Sequence, residues 1–258
     1  MSSKYLTDEE YQRYWVKLKG MRTSVSRDLE LTVGMKVLDV GTGWGFFAIE
    51  MAKQVEKGEI IGIDIVPGDV NRAKELIRKA EVADNVEILR IDAKKLSFPK
   101  NCFDLAVSFL GMRDVHMTRG KEGVKETTKE MVRVTKPSGK IALCITPPED
   151  AETEDQKLAI EVEGKVFGAK SLPKKIYADI FRENNVVLKK TKAYYTNKKL
   201  TAKQATIELK EGIEIARNIY GKAVPEFKDV WGRYGKKIEA FGYGMYSKIV
   251  MLVGEKTT

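Results

Sequence analysis

Val37-Leu38-Asp39-Val40-Gly41-Thr42-Gly43-Trp44-Gly45-Phe46-Phe47 is the stretch whose reading decides the fold of this chain. A short apolar run, Lys36–Val40, carries an acid near its end, and three alternating glycines follow before the pattern turns amphipathic. That is a buried strand, a tight turn and the start of a helix. Glycine lets the backbone fold back sharply and lets a ligand approach the helix N-terminus. A dinucleotide site asks for G-x-G-x-x-G, but counting from Gly41 the third glycine position holds Phe46. The spacing is instead acid-x-Gly-x-Gly-x-Gly. Asp39 would repel a pyrophosphate and can accept a hydrogen bond from an ammonium. A cofactor with an amino-acid end therefore fits better than one with a phosphate end. The alternative for Asp39 is a plain cap on the following helix.

Outward from this turn, the apolar runs Ile60–Ile65, Val86–Ile91, Leu105–Phe109 and Ile141–Ile145 alternate with helical stretches near 45–56, 69–82 and 119–134. Short buried strands separated by helices signal right-handed βαβ crossovers and a parallel sheet. A helix near 173–184 leads to Val186–Tyr195, which with Tyr246–Val253 predicts an antiparallel pair at the sheet edge. The intervening segment 197–242 reads as two helices, roughly 201–221 and 225–241, with Pro225 suited to a helix start. Residues 7–30 predict a helix with Tyr11, Tyr14, Trp15, Leu18 and Met21 on one face. No repeat or linker divides the chain. We therefore expect one domain over residues 1–258, with a helical cap (1–30), a core (33–196 and 243–258) and a lid-like helical insertion (197–242).

Further acids stand at strand ends. Gly62-Ile63-Asp64-Ile65 places one about 20 residues after the turn, where a carboxylate suits the hydroxyls of a ribose. Arg90-Ile91-Asp92-Ala93 places another where an adenine amino group can be read. Phe103–Ser108 opens a fourth strand, and Glu130–Ile141 gives a helix, a Pro/Gly turn and a fifth.

In these ordered motifs, over residues 33–146, the chain resembles class I S-adenosylmethionine-dependent methyltransferases. It is most similar to the group that includes ubiquinone/menaquinone-biosynthesis and other small-molecule enzymes. The resemblance implies an α/β, Rossmann-like, seven-stranded sheet, mostly parallel with a reversed last strand. It implies S-adenosylmethionine as cofactor, with Asp39, Gly41, Thr42, Gly43 and Gly45 around the methionine moiety. It further implies Asp64 on the ribose, Ile65 against the adenine, Asp92 and Ala93 at the adenine edge, and Ser108 close to the sulfonium. The loop after the fourth strand would approach the transferring methyl. That makes Phe109, Met112 and Arg113 substrate candidates, together with Tyr14 of the N-terminal helix. Asp114 and His116 are the candidate bases there. In-line positioning of the nucleophile can also suffice.

Composition sets the limits. The chain has 258 residues, 43% hydrophobic, and a net charge of +9, so it can bury a core and is not a disordered tail. Its longest apolar runs fall far short of the roughly 20 residues of a membrane span. The start, Met1 to Asp8, lacks the apolar core of a secretory signal, so cytoplasmic placement is expected. Cys102 and Cys144 form no framework or zinc spacing, and His116 is the only histidine, so no metal is expected. Cys144 lies within a strand and reads as core rather than nucleophile. High Lys and Glu content is also a thermophile trait.

The basic excess sits late: residues 151–258 hold 21 Lys/Arg against 14 Asp/Glu. Lys189, Lys190, Lys192, Lys198, Lys199 and Lys203 form an acid-free run, read as an RNA surface or, preferentially, as the solvated face of an edge strand. Ser108-Phe109-Leu110-Gly111 stands where adenine-N6 methyltransferases carry an Asn/Asp-Pro-Pro-Tyr type motif. The expectation is methyl transfer to a small-molecule acceptor, apolar or aromatic because the insertion is rich in rings. The alternatives are RNA or protein methylation, or a non-catalytic S-adenosylmethionine-binding partner subunit.

Overall fold

The computed structural model describes residues 4–12, 14–55 and 57–257, and of residues 12 and 14–17 the backbone alone. The chain opens with β1 (Lys4–Tyr5), α1 (Asp8–Gln12) and α2 (Tyr14–Asp28). Next come β2 (Lys36–Val40), α3 (Phe46–Ala52), β3 (Glu59–Asp64), α4 (Pro67–Lys79) and β4 (Val86–Arg90). β5 (Phe103–Phe109), α5 (Gly111–Val134), β6 (Thr135–Ile145), α6 (Glu154–Val162) and α7 (Lys174–Glu183) follow. The last elements are β7 (Val186–Tyr195), β8 (Lys198–Lys199), α8 (Ala202–Asn218), α9 (Phe227–Phe241) and β9 (Lys248–Lys256).

Seven strands form one sheet in the order β4-β3-β2-β5-β6-β9-β7. The first five run parallel, and β9 lies antiparallel between β6 and β7. The reversed last strand thus appears as expected. Alternation along each strand sends side chains to two separate cores. Val37, Ile60, Leu105, Val107 and Ile249 join one cluster with α2, α3 and α4. Leu38, Val40, Ile61, Ala106 and Leu143 join the other with α5 and α7. The result is a sheet with helices on both faces.

Several elements depart from the sequence reading. The helical stretch expected over 7–30 is described as α1 and α2, on either side of residue 13, which lies outside the described residues. α5 starts at Gly111 rather than near 119, and bends at Gly120, whose φ of 65° and ψ of −165° a residue without Cβ tolerates. The stretch after β6 holds α6 and a wide helical turn at Glu163–Phe167, to which no element was assigned. α8 carries a complete capping box, Thr201 with Gln204, which fixes its start. β1 and β8 pair as a two-residue parallel ladder that ties the N-terminus to the insertion. No helix among the described residues is long and apolar enough to cross a membrane.

Candidate active site

β2 sits beside β5, and the connections leave it for β3 on one side and for β6, through β5, on the other. In open α/β sheets such a switch point leaves a crevice beyond the strand ends. The glycine turn after β2 and the start of α5 after β5 face each other across it: a Cβ on Gly41 would stand 3.2 Å from Gly111 Cα. Gly41, Gly43 and Gly45 all take positive φ, and the amides of Gly41 and Thr42 both donate to the Ile63 carbonyl at 3.0 Å. A cavity of about 410 Å³ opens over this turn, within the range of small-molecule sites. The glycine turn, Phe47 and Phe109 form its floor, α2 one wall, Glu163, Phe167 and Tyr246 another, and α8 its roof.

Asp39 shares the cavity face of β2 with Val37. Its Oδ2 accepts from the Thr42 hydroxyl at 2.7 Å, while its Oδ1 is buried without a partner. Burial pushes its carboxyl up to about 7, the Thr42 hydrogen bond opposing and Asp64 adding to the rise. A buried carboxylate oxygen left unsatisfied is costly, and an arriving ammonium would satisfy it. A Cβ on Gly43 would meet nothing within 4 Å, so the turn is open where a ligand would lie. These two features fit the methionine end of S-adenosylmethionine. Gly45 instead packs inward, where a Cβ would lie 3.3 Å from that of Ala73.

Asp64 holds the turn in place. Its Oδ2 accepts from Gly43 N–H at 2.9 Å and its Oδ1 from Val66 N–H at 3.0 Å. Ile65, next to it, is 45% exposed, an apolar side chain available to a flat ring. Asp92 ends the neighbouring strand but is engaged by Arg119 at 2.7 Å, and Ala93 is half-buried beside it. These four stand outside the cavity walls proper.

The other candidates divide. Phe109 stacks on Phe47, centroids 4.8 Å apart, and both line the cavity. Arg113 and Asp114 line it as well. Arg113 pairs with Glu163 at 3.1 Å and lies 4.9 Å over the Tyr246 ring. Burial pushes the Asp114 carboxyl up to about 6, although 51% of its side chain still faces open cavity. Water there screens the group, so the shift develops fully only when a ligand displaces that water. Ser108 is corrected: on β5 it shares a face with Ala106, opposite Val107 and Phe109. It is fully buried, and its hydroxyl donates to the Val40 carbonyl at 2.8 Å. Met112 is corrected for the same reason, being fully buried in the core beneath the sheet. His116 does not line the cavity; its Nδ1 lies 3.2 Å from the Gly168 carbonyl, a structural bond. The Tyr14 side chain lies outside the described residues.

Sequence reasoning missed Arg22, Glu163 and Glu208. Arg22 is buried, over Phe46 at 5.0 Å and Phe109 at 5.7 Å. Burial lowers its guanidinium to about 10 against the pull of Glu50 and Asp39. Its signal was a lone charge among Leu18, Met21 and Val25 on one helix face. Glu163 accepts from the Tyr243 hydroxyl at 2.9 Å. Leu158, Ala159, Val162 and Val166, three or four apart, carried the signal for the helix that places it.

The insertion also differs from expectation. α9 contributes nothing to the cavity; Phe227 and Trp231 stack on each other and support α8 from outside. The part of the insertion that lines the cavity is α8, through Glu208, Glu211 and Ile215, with Ile219 just after it. The lysine run is not a free basic surface. Lys190 and Lys192 meet Asp28, Lys189 meets Glu255, Lys198 meets Glu10, Lys203 meets Asp8, and Lys199 donates to the Phe241 carbonyl.

The methyltransferase domain family model matches residues 31–212. The chain belongs to that family, whose class the fold and the glycine turn define as S-adenosylmethionine-dependent methyltransferases. Within it the chain is similar to the ubiquinone/menaquinone biosynthesis C-methyltransferase of Azotobacter vinelandii, 30% identical over 132 residues, 51% of this chain and 46% of that one. It is similar to the demethylmenaquinone methyltransferase of Staphylococcus aureus, 35% identical over 124 residues, 48% of each chain. The chain thus spans about half the length of these curated relatives. The YcgJ protein of Bacillus subtilis shares the fold with a TM-score of 0.65 at 17% identity, over 93% of this chain and 99% of that one.

Proposed function

We propose that the chain transfers a methyl group from S-adenosylmethionine to a small organic acceptor held under α8. The observation that carries this reading is the buried, unpartnered Asp39 Oδ1 beside a left-handed glycine turn that opens into the cavity. Bound there, S-adenosylmethionine supplies an electrophilic methyl group on a sulfonium. Asp39 and the turn would hold the amino-acid end, Asp64 the ribose, and Ile65 with Ala93 the adenine. Phe47 and Phe109 form an apolar floor that excludes water. Asp114, facing the open cavity with a raised proton affinity, is the group placed to take the acceptor's proton. Two free cysteines accord with cytoplasmic placement. RNA or protein as acceptor gains no specific support from the 189–203 lysine run, each of whose members meets an acid or a carbonyl.

Titration with S-adenosylhomocysteine, followed by screening of small acceptors with labelled S-adenosylmethionine, tests the reading. Micromolar binding with label in a small product is expected. Binding without transfer to any extract fraction would instead favour a non-catalytic partner subunit.

A further inference from the structure

The charge on the cavity walls narrows the acceptor's chemical class. The chain carries +9 overall, yet the described walls hold six carboxylates, two guanidiniums and no lysine. Both guanidiniums already have counter-charges. Arg113 lies 3.1 Å from Glu163, and Arg22 stands among Glu50, Asp39 and two phenyl rings. Asp39 belongs to the glycine turn, and Asp69 accepts from Trp44 Nε1 at 2.9 Å. Asp114 and Glu211 remain for the acceptor, with Glu208, whose Oε1 alone is taken by Tyr11, beside Glu211 on α8.

Asp114 makes no side-chain hydrogen bond among the described residues, and Arg113 Nε, 3.8 Å away, is the cation beside it. Glu208 accepts from the Tyr11 hydroxyl at 2.9 Å, and Glu211 follows it on the same face of α8. Asp114 and Glu208 share Glu163 as a charged neighbour across the cavity. Burial raises Asp114, and Asp64, Glu163 and Asp69 add to the rise; burial raises Glu208, and Glu211 and Glu163 add to it. Carboxylates lining one cavity, Asp114 half-exposed and Glu208 part-buried, attract a cation, the more so as a ligand displaces the water around them. Ring faces of Phe167 and Tyr220 stand in the same walls, and rings combined with carboxylates hold organic ammonium groups. An anionic acceptor would find repulsion and no uncommitted base.

We propose that the acceptor is an organic ammonium, an amine-bearing molecule whose cationic nitrogen is held by Asp114 with Glu208 and Glu211. The proposal rests on the methyl-transfer reading for its chemistry. Before its nitrogen can accept a methyl, the ammonium gives a proton to the Asp114 carboxylate: the N–H bond breaks, an O–H bond forms, and the nitrogen keeps the electron pair.

The test is calorimetric titration of the protein loaded with S-adenosylhomocysteine, using matched probes on two skeletons. These are phenethylamine, 2-phenylethanol and phenylacetate, then butane-1,4-diamine, butane-1,4-diol and succinate. On at least one skeleton the amine should bind about tenfold or more tighter than the alcohol, with the carboxylate weakest. Asp114→Asn should erase that preference and keep S-adenosylhomocysteine affinity, which also shows that the variant is folded. Glu208→Gln should reduce it. Alcohol or carboxylate binding as tight as the amine on both skeletons would overturn the proposal, as would an unchanged preference in Asp114→Asn or no amine binding at all. Failure of S-adenosylhomocysteine to bind would instead strike the methyl-transfer reading. The amine-to-alcohol ratio measured without it would still decide the charge preference.

Discussion

The floor and the roof of the cavity are built by different rules. On the floor, the glycine turn is held mainly through backbone: the Gly41 and Thr42 amides donate to the Ile63 carbonyl, Asp64 takes two loop amides, and the side-chain pair of Asp39 with the Thr42 hydroxyl spans only three residues. On the roof and far wall, side chains answer to side chains distant in sequence. Glu163 meets Arg113 and Tyr243, and Glu208 meets Tyr11. A floor fixed by backbone tolerates little change and suits an invariant cofactor. A roof fixed by side-chain pairs can be re-cut, and suits the choice of acceptor.

The comparison breaks most sharply at Asp39. Asp39→Asn should weaken S-adenosylhomocysteine binding about 100-fold, through the loss of a charge-assisted hydrogen bond worth about 2–3 kcal/mol. The same change should shift the melting temperature little, because the charge it removes is opposed by burial and only partly offset by Arg22, which keeps Glu50 beside it. A fall in stability with affinity intact would make Asp39 a structural cap. Asp64→Ala should cost about 1–3 kcal/mol of cofactor affinity, from the ribose contact and a loosened turn. Unchanged affinity in calorimetry would remove it from the ribose site.

Glu163→Gln probes the roof. It leaves Arg113 buried with only Asp114 as counter-charge, so chemical denaturation should show about 1–3 kcal/mol lost while cofactor affinity stays within about threefold. A large loss of cofactor affinity would erase the distinction between floor and roof. pH sharpens it further. Asp39 has a folded value near 7, above its ordinary 3.8, so its contribution favours the free folded state at low pH and is lost as pH rises through about 7. An ammonium at Oδ1 lowers that value again. Affinity for S-adenosylhomocysteine should therefore rise about tenfold from pH 6 to pH 8, and a flat profile would count against the contact. Lys192→Met, an exposed partner of Asp28, should change stability by less than about 1 kcal/mol. A larger drop would mean that the edge-strand lysines anchor α2.

What could be read in the sequence follows the same division. β2, the glycine turn, Asp39 and Asp64 were legible because strand period, turn chemistry and acid placement are local signals. Ser108 and Met112 were misplaced because nearness in sequence to the cavity says nothing about the face of the sheet. Parity with Phe109 would have placed Ser108 on the far side. Glu163 and Glu208 stayed hidden because their partners, Arg113 and Tyr11, lie 50 and 197 residues away, so that only the fold brings them together. The rings of α9 misled for the opposite reason: a helix rich in aromatics needs a core, and here that core is α8 rather than a ligand.

The most direct measurement is titration of the wild-type protein with S-adenosylhomocysteine and NADH side by side at pH 6.5, in two buffers of different ionisation enthalpy. One S-adenosylhomocysteine should bind in the micromolar range with release of part of a proton, as Asp39 ionises against the incoming ammonium, and NADH should not bind. S-adenosylhomocysteine that fails to bind, or binds without moving a proton, would contradict the assignment of the glycine turn and Asp39 to the cofactor.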